Sequence, residues 1–108
     1  MAYFREHFGE VPARQRLFAE LAPRAFAGYQ LLHRTALKEN ELAPKTCELL
    51  LCAVIAAVYQ FDLLEIHVAS ARKLGATDAE LAEAILSAYP AAGMTIWAGG
   101  AGAILAGR

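Results

Sequence analysis

No run of this 108-residue chain alternates apolar and polar side chains with a period of two, and no Asn-Gly pair marks a hairpin between strands. Apolar residues instead recur three and four apart, the spacing that gathers them on one face of an α-helix. The fold class is therefore all-α. Leu17, Phe18, Leu21, Phe26, Tyr29, Leu32 and His33 give a first helix over about residues 12–36. Pro23 breaks or kinks it, because proline removes a bond from the helical ladder. Lys38-Glu39-Asn40-Glu41 is a polar turn. Pro44 suits the first turn of a second helix, which continues to about Tyr59. Asp62 and Glu65 have the spacing of an aspartate-led capping box, opening a third helix at Asp62. Gly75 closes that helix in the left-handed cap position. Thr77 and Glu80 form a capping box for a fourth helix, ending near Tyr89, and a fifth covers about residues 93–105. The second and third helices make a central hairpin. The aromatic opening, Tyr3 to Pro12, is an irregular or short helical arm.

Length allows one domain, residues 1–108. Hydrophobic residues make up 57% of it and charged residues 19%. A domain of this size buries only about two-thirds of its unfolded surface, so apolar area is left over, most of all on the fifth helix. A homo-oligomer is the expected remedy. A net charge of −1 offers no electrostatic footprint for nucleic acid or an anionic membrane. Ala84 to Gly107 carries no charge and is long enough to span a bilayer. Pro90 and Gly93, Gly99, Gly100, Gly102 and Gly107 argue instead for a small-residue helix packed inside an assembly. Cys47 and Cys52 lie five apart on one helix, about 8 Å at 1.5 Å per residue, too far for a comfortable disulfide. Reduced thiols and a cytoplasmic home follow, and no charged leader with an apolar stretch supports secretion.

One residue in the second helix stands out chemically. Glu48 sits inside the apolar run Cys47 to Ile55, and a buried carboxylate is costly unless paired. It is either a general acid or base with a raised pKa or a structural carboxylate bound to a cation at a subunit contact. His67, on the next helix, is either a proton shuttle or an ordinary hydrogen-bonded side chain. A turn centred near Phe61 sets Ile55 or Ala56 level with His67 and leaves Glu48 about 11 Å further along. Contact between the two then needs a steep crossing, a bridging water or a neighbouring subunit. Cys52 is one turn from Glu48. It reads as a small hydrophobe or as a thiol activated by an imidazole, whereas Cys47 points away. His7, His33 and His67 match no zinc spacing, so no metal is expected, and His7 and His33 are placed at the surface or an interface. Capping accounts for Asp62 and Glu65. Gly99-Gly100-Ala101-Gly102 has no strand before it and reads as tight helix packing. Tyr59, Phe61, Met94 and Trp97 are pocket walls or, by default, core.

Three stretches carry a family likeness over nearly the whole chain: residues 4–12, residues 42–49 with Pro44-Lys45-x-x-Glu48-Leu49, and residues 67–81 with His67-Val68-x-x-Ala71 followed by Gly75-Ala76-Thr77. Together and in order they are fairly specific. The chain resembles the carboxymuconolactone decarboxylase and alkylhydroperoxidase-D-like family. That resemblance implies an all-helical subunit assembled as a trimer or hexamer, with its site at a helical hairpin. In the peroxidase branch the hairpin carries Cys-x-x-Cys and then histidine, with a glutamate from the preceding helix. The glutamate falls on Glu48, the histidine on His67, and the two cysteine positions on Gln60 and Leu63, where no thiolate can form. The decarboxylase branch places an acid four before the histidine; here that position is Leu63, with Asp62 and Glu65 out of register. The implied function is non-redox acid/base chemistry, decarboxylation or proton transfer, on a small carbonyl or lactone compound, without a cofactor. Glu48 and His67 would act as acid and base, with Gln60 and Leu63 meeting the substrate. The alternatives are a non-catalytic oligomeric binding or scaffold protein and a divergent thiol antioxidant using Cys52.

Overall fold

The computed structural model describes residues 12–108, and the regular elements among them are all α-helices. They fall into two compact units, one ending at Asn40 and the other Glu41–Arg108.

In the first unit, α1 (Ala13–Leu21) and α2 (Pro23–Leu37) are separate helices rather than one kinked helix. Ala22 leaves helical geometry at φ −145°, ψ 66°, and Pro23 takes the first turn of α2, where its missing N–H is no loss. Phe18, Phe26 and Tyr29 supply the cluster that holds the pair. Phe18 meets Phe26 edge-on with ring centroids 5.2 Å apart and Tyr29 at 5.6 Å, a favoured aromatic arrangement. His33 lies 5.9 Å from Tyr29 and is half-buried rather than freely at the surface. The aromatic arm and His7 lie outside the described residues.

The second unit contains α3 (Pro44–Ala57), α4 (Phe61–Lys73), α5 (Asp78–Leu86), the single-turn α6 (Tyr89–Ala92) and α7 (Thr95–Ala106). Its core draws Cys52, Ile55 and Ala56 from α3, Leu64, Val68 and Ala71 from α4, Leu81 and Ile85 from α5, and Ile96, Ala103 and Ile104 from α7. The hairpin α3–α4 packs against α5 and α7. No helix of the described residues is long and apolar enough to cross a membrane; the uncharged stretch is divided among α5, α6 and α7.

Helix ends differ from expectation in one informative place. α3 stops at Ala57 with Tyr59 in the left-handed region at φ 58°. Tyr59 N–H donates to Ala56 O and Gln60 N–H to Ile55 O, the bond pair of a Schellman cap. A side chain there costs about 1–2 kcal/mol relative to glycine. The cap hands the chain directly to α4, which begins at Phe61 with Gln60 as N-cap and no side-chain cap. Asp62 is therefore already in the first turn and caps nothing, so the Asp62–Glu65 capping box is absent. Gly75 ends α4 as expected, at φ 93°, and the Thr77–Glu80 capping box is formed in both directions. α5 then ends at Leu86 instead of reaching Tyr89, because Pro90 belongs to the separate turn α6. Two glycines of α7 admit close neighbours: a Cβ on Gly99 would strike the Phe61 ring, and one on Gly100 would lie 2.6 Å from Ile85 Cγ2. Gly102 faces open space, so tight packing accounts for only part of the glycine run.

Two ion-pair groups tie the unit together. Lys45 of α3 reaches Glu80 of α5 at 3.0 Å. Arg72 Nη2 donates to Asp78 Oδ1 at 2.8 Å and to Ile104 O at 2.9 Å, while Arg108 binds Asp78 Oδ2. Arg72 thus closes the C-terminal end of α7, where carbonyls lack helical partners.

Candidate functional site

Glu48 lies in the second turn of α3 and is 4% exposed. Its apolar neighbours in sequence force that helix inward, and the carboxylate goes with it. Burial of this kind demands a partner, and the structure supplies one directly. Glu48 Oε2 stands 2.8 Å from His67 Nδ1, across the hairpin from α3 to α4. Neither a bridging water nor a second subunit is needed.

The spacing argument for an 11 Å gap fails because the turn is centred on Tyr59, two residues earlier than Phe61. With Tyr59 as pivot, the residue level with His67 is Leu51, and Glu48 lies about 4.5 Å beyond it at 1.5 Å per residue. Two extended side chains span that offset.

The His67 side chain is mostly buried, with 14% of its surface exposed. Its one described hydrogen bond uses Nδ1. With Glu48 ionised, Nδ1–H donates to the carboxylate, and that bond fixes the tautomer in which Nε2 is the basic nitrogen. A buried carboxylate holding an imidazole in one orientation can serve general acid/base catalysis.

Gln60, the N-cap of α4, and Leu63 and His67 within the helix follow one another at intervals of three and four, so they share a stripe. Gln60 and Leu63 are exposed. Within this stripe the polar amide is at the hairpin tip, Leu63 is one turn from the imidazole, and His67 lies deepest.

Cys52 is fully buried one turn beyond Glu48. Burial pushes its thiol up to about 12, and the nearby Glu48 charge pushes in the same direction. Cys52 therefore stays a protonated thiol near neutral pH. Cys47 is buried as well, with its Sγ directed at Leu42 O at 3.8 Å. Both cysteines are free.

Of the four large side chains considered for a pocket, Phe61 and Trp97 pack on the core while Tyr59 and Met94 are exposed. Tyr59 instead donates its hydroxyl to Ala92 O at 2.5 Å. No helical periodicity marks that role; it follows from a turn conformation that sequence normally assigns to glycine. Lys45 was legible only as part of a motif, and its link to Glu80 depends on how α5 packs beside α3. No three His, Cys, Asp or Glu residues gather to hold a metal ion among the described residues.

A model of the carboxymuconolactone decarboxylase family matches residues 23–105. No curated protein matches the chain, and no solved structure does.

Proposed function

The chain belongs to the carboxymuconolactone decarboxylase family, and from that premise we propose that it carries out non-redox acid/base chemistry on a small carbonyl or lactone compound. The observation that supports this reading is the 2.8 Å bond between buried Glu48 and His67, with the two positions of the dithiol branch occupied by Gln60 and Leu63. His67 Nε2 is the proton-transferring atom, and Glu48 orients the ring and balances its charge.

In decarboxylation, the bond from carbon to the departing carboxylate breaks and its electron pair moves onto the adjacent carbonyl as an enolate. The Nε2–H of protonated His67 donates to that oxygen as charge develops and then gives its proton to carbon, leaving a neutral imidazole that takes a new proton from solvent. In simple proton transfer, neutral His67 removes the proton and hands it back. Gln60 offers its amide to a substrate carbonyl, and Leu63 gives an apolar contact beside it. No redox cofactor enters either sequence of steps. The working protein is a homo-oligomer, a trimer or hexamer, in the cytoplasm.

The test is turnover of a panel of small lactones and β-keto acids, following carbon dioxide release and solvent-deuterium incorporation. With an accepted substrate, His67→Ala and Glu48→Gln are expected to lower kcat/KM by about 10²–10⁴-fold, and Cys52→Ser to leave it nearly unchanged. Unaltered turnover in both dyad variants would rule the proposal out. Peroxide consumption abolished by Cys52→Ser would favour the thiol reading instead. Binding without turnover, insensitive to either dyad residue, would favour a scaffold.

A further inference from the structure

α3 and α4 end in the same hydrogen-bonded cap. At the end of α4 the left-handed residue is Gly75, with Gly75 N–H on Arg72 O and Ala76 N–H on Ala71 O. At the end of α3 the same place is held by Tyr59, with Tyr59 N–H on Ala56 O and Gln60 N–H on Ile55 O. Glycine is the residue suited to that conformation, and a bulky residue keeps it only when its surroundings hold it there. Tyr59 is held. Its hydroxyl donates to Ala92 O, thirty-three residues on, and its ring lies 5.9 Å from Phe61. Phe61 in turn covers Gly99 of α7. The tip of the hairpin is thereby fastened to the two helices beyond it.

The fastening bears on the site because the pivot sets the register. Glu48 precedes Tyr59 by eleven residues and His67 follows it by eight. Shifting the left-handed residue by one position would turn the side chains of one limb by about 100° relative to the other, enough to separate carboxylate from imidazole. We propose that Tyr59 is a positioning residue for the Glu48–His67 pair, clamped at Ala92 so that the hairpin keeps the register in which the two side chains meet. The inference rests on the proton-transfer reading of that pair for its functional meaning, although the contact it concerns is structural.

The experiment follows the His67 imidazole by long-range proton–nitrogen NMR at about pH 8, above the ordinary imidazole range. The parent should show one dominant tautomer, protonated at Nδ1. Tyr59→Phe removes only the hydroxyl, and Tyr59→Ala removes the ring and hydroxyl while keeping a Cβ that disfavours the left-handed conformation. Both are expected to lower the Nδ1-protonated population several-fold relative to the other tautomer, whatever happens to Tm. Tyr59→Phe deletes one oxygen from a half-exposed ring, so it reports even where the alanine variant is poorly folded. An unchanged tautomer ratio in folded Tyr59→Phe and Tyr59→Ala overturns the inference, even with a lowered Tm. Glu48→Leu, which removes the acceptor while filling the space, separates the two claims in the same measurement. If it leaves the ratio unmoved, the pairing of Glu48 with His67 fails; if it shifts the ratio and the Tyr59 variants do not, only the positioning role fails.

Discussion

A thiol, a carboxylate and an imidazole lie within two turns of one hairpin, and burial assigns them different roles. Cys52 has a folded pKa raised from 9.0 to about 12, by burial first and the Glu48 charge second. A raised value means the folded state holds the proton more tightly than the unfolded state. The thiol's contribution to stability is therefore intact below about pH 9 and is lost as pH climbs toward about 12. In a Cys47→Ser background, native Cys52 is expected to react with iodoacetamide at neutral pH at least about tenfold more slowly than in the urea-unfolded chain, since the thiolate is the nucleophile. Comparable rates would remove the account of Cys52 as an inert core thiol. The alkaline limb of a stability curve should also be steeper for the parent than for Cys52→Ala. Glu48 was legible from sequence because an apolar helix isolates it. Its contact with His67 was not, because hairpin register depends on where the chain reverses, and Tyr59 reverses it in a conformation that its residue type disfavours.

Helix ends divide into those governed by local chemistry and those governed by packing. The Thr77–Glu80 box and the Gly75 cap are local, and both were readable directly from residue types. The start of α4 was not, because the Schellman cap at Tyr59 brings Phe61 into the helix before Asp62 can cap it. The closure of α7 is also beyond sequence reach. It depends on Arg72 meeting Ile104 O, 32 residues further along the chain, while it also bonds Asp78. There the hydrogen bond from Arg72, then that from Arg108, holds the Asp78 carboxyl below its usual range. A depressed carboxylate stabilises the fold above the unfolded value of about 3.9, and that stabilisation disappears as pH falls through the lower folded value. Asp78→Asn should lower Tm modestly at neutral pH, because exposed ion pairs contribute little individually. The gap between parent and variant should narrow once pH drops below about 4. A gap that stays constant down to acid unfolding would show that Asp78 acts by packing rather than by charge.

Composition indicates an apolar surplus in the molecule without saying where it lies. The expectation placed it on the last helix, but Ile96, Ala103 and Ile104 of α7 are buried within the unit. The surplus is spread along the chain, from Leu21 and Leu32 in the first unit to Leu105 on α7, and one row of it lies on the hairpin. Leu50 and Val54 on α3 and Val58 at its C-cap follow each other every fourth residue and are 50%, 60% and 59% exposed, with Leu63 and Ile66 also exposed on α4. On α3 these residues face away from the buried Cys52 and Ala56, and on α4 Ile66 faces away from Leu64 and Val68. A helical layer with one face in the core and the other equally apolar is unstable in water as a free surface, at about 25 cal/mol per Å² left uncovered. Monomers rarely leave such a patch open. The homo-oligomer in the proposed function supplies a second apolar surface to cover it. Sedimentation equilibrium of the parent should therefore give the mass of a trimer or hexamer. Leu50→Asp combined with Val54→Asp should shift that mass toward a single chain, because two buried carboxylates without partners would cost several kcal/mol per contact. The variant should keep its helical circular dichroism, since neither residue contributes to the core of residues 41–108. A parent that sediments as a monomer at micromolar concentration would require the hairpin face to tolerate water, and the oligomer would have to be abandoned.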